Sequence, residues 1–270
     1  MEKVIINEIP VLQYPELREI KFIKHCFSTR EGGVSEGIYE SMNLSFTRGD
    51  NDESVRENFR RIAMVLDEPI DNFVFSKQTH TTNVHVATKA DAGIGLTRPL
   101  PYDNVDGLIT NEPGLVLSTF YADCVPLYFV DPVNHAIGLS HSGWRGTVCR
   151  MGQVTIGAMN REYGTNPADL ICAIGPSICQ DCYEVSSDVA DEFAKEFPQH
   201  ISDLLIAKPN NKFNLSLWAA NSIILKEAGV LPENIILPGY CTCCNSNLLF
   251  SHRASKGKRG NLGAFLSIRK

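Results

Sequence analysis

The sequence predicts an α+β protein, one domain over residues 1–270, in which mixed sheets are covered by helices. Strand-like and helix-like segments are interspersed with several short hairpins, and they do not alternate regularly as βαβ units. With 43% hydrophobic residues in a chain of 270, one substantial core is affordable. No short-period repeat or low-complexity linker divides it.

Residues 1–27 supply opening strands through Val4, Ile5 and Ile6, then Ile20, Phe22, Ile23 and Phe27. A glycine-rich loop with one arginine, Ser28 to Gly37, follows and leads to Met42-Asn43-Leu44-Ser45. Gly32 and Gly33 beside Ser, Thr and Arg30 can form a backbone cradle for phosphate, although such loops are also simple turns. The spacing of Val55, Phe59, Ile62 and Leu66 predicts a helix over Ser54 to Leu66. Phe73 to Phe75 reads as a strand, with Val84 to Val86 as its return and the polar loop Lys77-Gln78-Thr79-His80 between them. Further strands are expected at Leu108 to Thr110, Gly114 to Ser118, Leu170 to Ile174, Asn234 to Leu237 and Ala264 to Ile268. Helices are expected from Thr147 to a stop at Gly164, around Val189 to Phe197, and from Leu217 to a stop at Gly229.

The centre of the chain runs from Asp123-Cys124 to His141-Ser142-Gly143-Trp144-Arg145-Gly146. Val125 to Val130 and Ala136 to Leu139 flank the turn residues Asp131 to His135, which is the pattern of a β-hairpin. Cys124 and His141 lie symmetrically about that turn, so antiparallel pairing returns both to one end. The helix start after Gly143, with Arg145 beside free backbone N–H groups, would attract an anion.

The formal charge is −6, and the only basic block is Lys256 to Arg259, so nucleic acid is a poor partner and a small substrate fits better. No segment approaches the roughly 18 apolar residues of a membrane helix, and the N-terminus is acidic and lacks a signal-peptide core. A cytoplasmic protein that neither enters nor binds membranes is expected, and its oligomeric state is open. The nine cysteines then read as reduced thiols. Cys179 to Cys182 has CxxC spacing without an evident second pair, and Cys241, Cys243 and Cys244 are taken as ordinary thiols.

Grouping His80 with Cys124 and His141 gives two imidazoles and one thiolate at strand ends. Three protein ligands and an open position are the pattern of catalytic zinc. The same residues allow Cys124 as a nucleophile, with His141 as its base and Asp123 or another acid orienting the imidazole. Copper also suits Cys plus two His, but seven histidines without a His-x-His segment exclude a conventional laccase.

Lys77-Gln78-Thr79-His80, Asp106-Gly107 with Thr110, Ala122-Asp123-Cys124-Val125-Pro126, His141 to Gly146, Gly175-Pro176 with Tyr183-Glu184-Val185, and Ser251-His252-Arg253 resemble the successive motifs of the YfiH/YlmD/FAMIN family. That family has been labelled polyphenol oxidase or laccase-domain and reassigned to purine nucleoside chemistry. The resemblance spans nearly the whole chain. It implies a four-layer α/β/β/α sandwich with mixed sheets, similar to a toxin deamidase with a Cys-His site. It implies Zn2+ at His80, Cys124 and His141, with Cu2+ as the alternative ion. It also implies phosphate-dependent cleavage of adenosine, inosine, guanosine and methylthioadenosine, and hydrolytic deamination of adenosine. The partners expected are therefore purine nucleosides and inorganic phosphate. Asp123, Cys124 and Arg145 are the catalytic candidates, and Arg30, Gly32, Gly33, Asn43 and Lys77 the substrate or phosphate candidates. A Cys124-based hydrolase or deamidase and a copper-dependent phenol oxidoreductase stand as alternatives. Two departures from the family pattern are Ser142, where Ala is common, and Arg259-Gly260-Asn261, where Thr-Gly-Arg is common and an arginine is displaced.

Overall fold

A computed structural model describes all 270 residues. Its strands in chain order are β1 (Glu2–Ile6), β2 (Ile9–Gln13), β3 (Ile23–Ser28), β4 (Phe73–Phe75), β5 (Val84–Val86), β6 (Gly107–Thr110), β7 (Val116–Tyr121) and β8 (Val125–Asp131). They continue with β9 (Ala136–Ser142), β10 (Ile171–Ile174), β11 (Glu184–Ser186), β12 (Leu205–Lys208), β13 (Lys212–Leu215), β14 (Ile235–Ile236) and β15 (Leu262–Ile268). The main helices are α1 (Asp52–Leu66), α2 (Trp144–Val148), α3 (Met151–Tyr163), α4 (Ser187–Glu196) and α5 (Leu217–Glu227).

One six-stranded sheet has the order β1-β2-β3-β15-β7-β4, and a second has β14-β10-β8-β9-β6-β5. Both are mixed, because β4 joins β7, and β5 joins β6, in parallel among antiparallel neighbours. Leu12, Phe27, Leu117 and Leu266 of the first sheet meet Leu108, Tyr128, Val130 and Leu139 of the second in one buried core. The outer face of the first sheet is covered by α1, and that of the second by α3 and α5. The result is the four-layer α/β/β/α sandwich with mixed sheets.

Local chemistry explains the covering helices. Asn51 caps α1 by accepting from the Glu53 and Ser54 amides, Asp52 and Glu53 suit its positive end, and Asp67 ends it in the left-handed region. Val55, Phe59, Ile62 and Leu66 are the buried face, and Phe59 packs on Phe46, Phe73, Phe75 and Phe120. Burial of each such side chain contributes about 1.5–3 kcal/mol.

Three elements differ from the sequence expectation. Val84–Val86 does not return beside Phe73–Phe75: the two strands lie in different sheets, so the segment between them crosses the sandwich. That crossing is held by the buried carboxylate of Asp106, which captures Thr79, His80 and Thr81. The helix expected from Thr147 begins at Trp144 and breaks at Arg150, which is left-handed at φ 56° and paired with Glu196 and Glu227. A small third sheet, β11-β13-β12, arises from short, charged, partly exposed strands with little apolar signal.

Candidate metal centre and cleft

The hairpin expected around residues 131–135 forms, with His141 opposite Pro126 and Cys124 just before the strand begins. His80 arrives from the crossing segment. The ligand-capable atoms of His80, Cys124 and His141 all lie within 4.8 Å of one another, and Cys124 Sγ is 3.9 Å from His80 Nε2.

What holds them there is Asp106, whose role the sequence did not disclose. Its carboxylate accepts from the amides of Thr79 (3.0 Å), His80 (3.0 Å) and Thr81 (2.9 Å), from the Thr81 hydroxyl (2.9 Å), and from His141 Nδ1 (2.8 Å). One fully buried acid therefore fixes the backbone that presents His80 and the ring of His141. Burial opposes its charge, but His141 and the amides of Thr79 and Thr81 hold its pKa down at about 2. With Nδ1 engaged by Asp106, His141 presents Nε2 as its ligand atom.

Burial would raise the Cys124 thiol, but the neighbouring His141 and His80 outweigh it and bring the pKa to about 6. Burial would likewise lower His141, yet the Cys124 thiolate and Asp106 hold it at about 9. These shifts favour a Cys124 thiolate beside a His141 imidazolium near neutral pH. His80 and Asp123 both adopt left-handed backbone, at φ 66° and 87°. Such conformations are costly for non-glycine residues and persist where surrounding bonds enforce them.

Gly143 leaves the room that His80 and Cys124 need. A Cβ there would stand 2.8 Å from His80 Cδ2 and 3.1 Å from Cys124 Sγ. Gly143→Ala is expected to weaken metal binding by roughly tenfold or more, the size of effect seen when a ligand's support is disturbed. Competition with a chromophoric chelator measures it, and an unchanged affinity would show that His80 yields freely.

The trio lies at the floor of an open cleft of about 1030 Å³. Its lining includes Phe46, Phe75 and Phe120 together with Arg48, Arg56, Lys77, Arg98 and Arg259. Several of these cations are already engaged: Lys77 with Asp103 (2.5 Å), Arg56 with the Leu96 carbonyl, and Arg98 with the Ala90 and Ala92 carbonyls. Arg259 is buried and donates through Nη1 to the Gly260 carbonyl and to Asn261, but its Nε has no partner, and burial together with nearby Arg48 lowers its pKa to about 10.

The remaining sequence candidates occupy other positions. Arg30 lines a separate cavity of about 160 Å³, lies 4.8 Å over the Phe250 ring, and donates to the Glu40 and Ser246 carbonyls. The Gly32 carbonyl accepts from Arg61 and the Gly33 amide donates to Ser41, so the glycine-rich loop clamps neighbouring loops outside the cleft. Asn43 is buried under the cleft wall, accepting from the Asn261 amide and donating to Asp50. Arg145 is exposed, 4.2 Å over the Trp144 ring, and is not part of the cleft lining. Asp123 gives one oxygen to the Thr242 hydroxyl (2.6 Å) and the other to the Arg253 amide (2.7 Å). Asp106, Arg48 and Arg259 were not named as site residues, although Asp106-Gly107 is one of the motifs that carry the resemblance and Arg259-Gly260-Asn261 one of its departures.

Fold and site together define a two-sheet α/β sandwich in which His80, Cys124 and His141, a group that could hold a metal ion, line a cationic cleft. The family model described as "Multi-copper polyphenol oxidoreductase laccase" matches residues 24–269. The chain belongs to this laccase-like family, the YfiH/YlmD family. It is 35% identical over 246 residues to the purine nucleoside phosphorylase YlmD of Bacillus subtilis, covering 90% of this chain and 87% of that one. It is 33% identical over 246 residues to the adenosine deaminase RL5 of an unknown prokaryotic organism, covering 88% and 93%. The crystal structure of the Bacillus licheniformis hypothetical protein YfiH superposes with a TM-score of 0.91 at 32% identity, covering 96% of each chain.

Proposed function

We propose that this chain is a zinc-dependent purine nucleoside enzyme. It cleaves adenosine, inosine, guanosine and methylthioadenosine with inorganic phosphate to the free base and (methylthio)ribose 1-phosphate, and it deaminates adenosine hydrolytically to inosine. The observation that carries this reading is the placing of two imidazoles and one thiol at the floor of a cleft walled by aromatic rings and guanidinium groups. The names of the two relatives point to the same chemistry.

The donor set fits zinc. Zn–S bonds of about 2.3 Å and Zn–N bonds of about 2.1 Å arranged tetrahedrally put sulfur and nitrogen roughly 3.6 Å apart. The Cys124 to His80 separation of 3.9 Å is close to this. His80, Cys124 and His141 would hold the ion, and when bound it supplies Lewis acidity next to the substrate. Asp106 fixes the His141 ring and the backbone that presents His80, and Asp123 secures the turn that carries Cys124 by holding Thr242 and the Arg253 backbone.

In phosphorolysis the glycosidic carbon becomes cation-like as its bond to the base breaks and a phosphate oxygen attacks. A dianion must therefore be held beside the sugar. Arg259, with its unpartnered Nε, and Arg48 take this part, joined by Lys77 on the rim. Phe46, Phe75 and Phe120 offer the base an apolar wall. Arg259→Ala is expected to raise the phosphate KM about 10- to 100-fold, the loss of one charge-assisted hydrogen bond, while adenosine deamination keeps its rate. Equal loss of both activities would place Arg259 elsewhere in the machinery.

Zinc-loaded, metal-analysed protein is to be incubated with adenosine, with and without phosphate, and the products separated by chromatography. Free base and ribose 1-phosphate with phosphate, and inosine without it, are expected; adenosine left intact in both arms sinks the reading.

A second reading draws on the low Cys124 and high His141 pKa values: a thiolate nucleophile with an imidazolium partner. In metal-free protein the thiolate is lost as pH falls through about 6, and the imidazolium is lost as pH rises through about 9. Iodoacetamide labelling of Cys124 in the metal-free chain is thus expected to titrate with a midpoint near 6. Chelated protein that still consumes adenosine would favour this second reading over zinc.

A further inference from the structure

We propose that Cys179, Cys182, Cys241 and Cys244 form a second metal site, a closed tetrathiolate that holds one structural zinc ion. The four sulfurs come from two CxxC turns separated by 58 residues of sequence and brought together by the fold. All four Sγ atoms lie within 4.8 Å of one another, with Cys182 to Cys244 at 3.4 Å and Cys179 to Cys244 at 3.9 Å. A tetrahedron built on Zn–S bonds of about 2.3 Å has edges of about 3.8 Å, which these separations bracket. The sulfurs enclose a space for a single ion.

Backbone geometry supports thiolate ligands. The amides of Cys179 and Cys244 both point at Cys241 Sγ, at 3.3 and 3.4 Å, supplying hydrogen bonds that a charged sulfur accepts. Both turns are closed, by Cys182 N to the Cys179 carbonyl (3.2 Å) and by Asn245 N to the Cys241 carbonyl (3.0 Å). The bridge between Ser177 and Cys241 brings the two turns face to face. Cys243 stays out of the group and packs toward the outer core, which removes the difficulty of two adjacent cysteines sharing one tetrahedron. Four sulfur ligands leave no open position, so the site is structural.

Its position gives it a task. Ile178 N donates to the Asp123 carbonyl (3.0 Å), and the Thr242 hydroxyl donates to the Asp123 carboxylate (2.6 Å). One ion would therefore fasten together the two loops that grip the residue preceding Cys124. Structural zinc contributes directly to folding free energy, so its loss is expected to loosen this wall and lower Tm.

The test counts metal in the full chain, purified and reconstituted with zinc chloride under reducing conditions. Two zinc ions per chain are expected in the wild type. One is expected in a Cys179→Ser, Cys244→Ser double variant, and one in Cys124→Ala. Cobalt(II) substitution of Cys124→Ala should give the strong charge-transfer and visible bands of a four-sulfur site. Should the double variant fail to fold, Cys244→His keeps a ligand, and it is expected to retain both ions with an altered cobalt spectrum. A wild type with one zinc that disappears in Cys124→Ala overturns the proposal, as do iron at the four cysteines or a metal-free disulfide between them. One zinc lost only in the double variant would uphold this site and defeat the cleft assignment instead.

Discussion

Cys124→Ala is expected to leave a folded chain that carries no metal at the cleft floor and has lost both nucleoside activities. The residue is half-buried at the mouth of a strand, so truncating it removes little packing. It removes the only anionic ligand of three, and two imidazoles alone leave the ion without charge neutralisation. Lewis acidity worth several kcal/mol to the transition state goes with it. At 1.36 kcal/mol for each factor of ten, turnover should fall on the order of 10³-fold or more. Metal analysis beside a circular-dichroism melt separates the causes: an unchanged melt with metal lost at this site and no turnover supports the assignment. Full activity with the cleft metal retained would remove Cys124 from the ligand set.

The sequence disclosed this site unevenly, for physical reasons. Strand periodicity and the turn residues Asp131 to His135 brought Cys124 and His141 to one end of a hairpin, because local pairing constrains both. His80 entered as a polar residue at a strand end, while its partner Asp106 entered only within the Asp106-Gly107 motif, with no role attached. Asp106 acts through three backbone amides, and amides carry no residue identity that a sequence can display. The second CxxC, Cys241 to Cys244, was obscured by the adjacent Cys243, and its pairing with Cys179 and Cys182 depends on a long-range bridge at Ser177. Arg30 and the Gly32-Gly33 segment drew attention through composition, yet their polar atoms are taken up by loop-to-loop bonds. In the cleft, the cations that matter are set by which guanidinium keeps a buried N–H without a partner, and only coordinates show that for the Nε of Arg259. The layered fold was legible wherever apolar periodicity was strong, as in α1. It was not legible in β12 and β13, where partial exposure leaves charged and apolar residues mixed.

Asp106→Asn tests the opposite case, a residue that touches no substrate and yet governs both histidines. An amide at this position keeps one acceptor oxygen and turns the other into a donor, which then faces the Thr79 and Thr81 amides or His141 Nδ1, all of them donors. Breaking a buried charged network from one side costs about 3–5 kcal/mol. Displacing the support of a ligating histidine costs roughly 10- to 100-fold in metal affinity. Since Asp106 supports two ligands, the metal affinity is expected to fall by at least the upper end of that range. The pH dependence gives a signature that simple misfolding lacks. The folded pKa of Asp106, about 2, lies below its unfolded value, so its contribution to stability is present above about pH 4 and lost as pH falls toward 2. A shift of that size is worth about 2 kcal/mol. In metal-free protein the acid limb of the stability curve should therefore be shallower in Asp106→Asn than in the wild type, while the two curves run parallel above neutrality. Parallel acid limbs, or an unaltered metal affinity, would mean that the crossing segment and His141 are held by something other than this carboxylate.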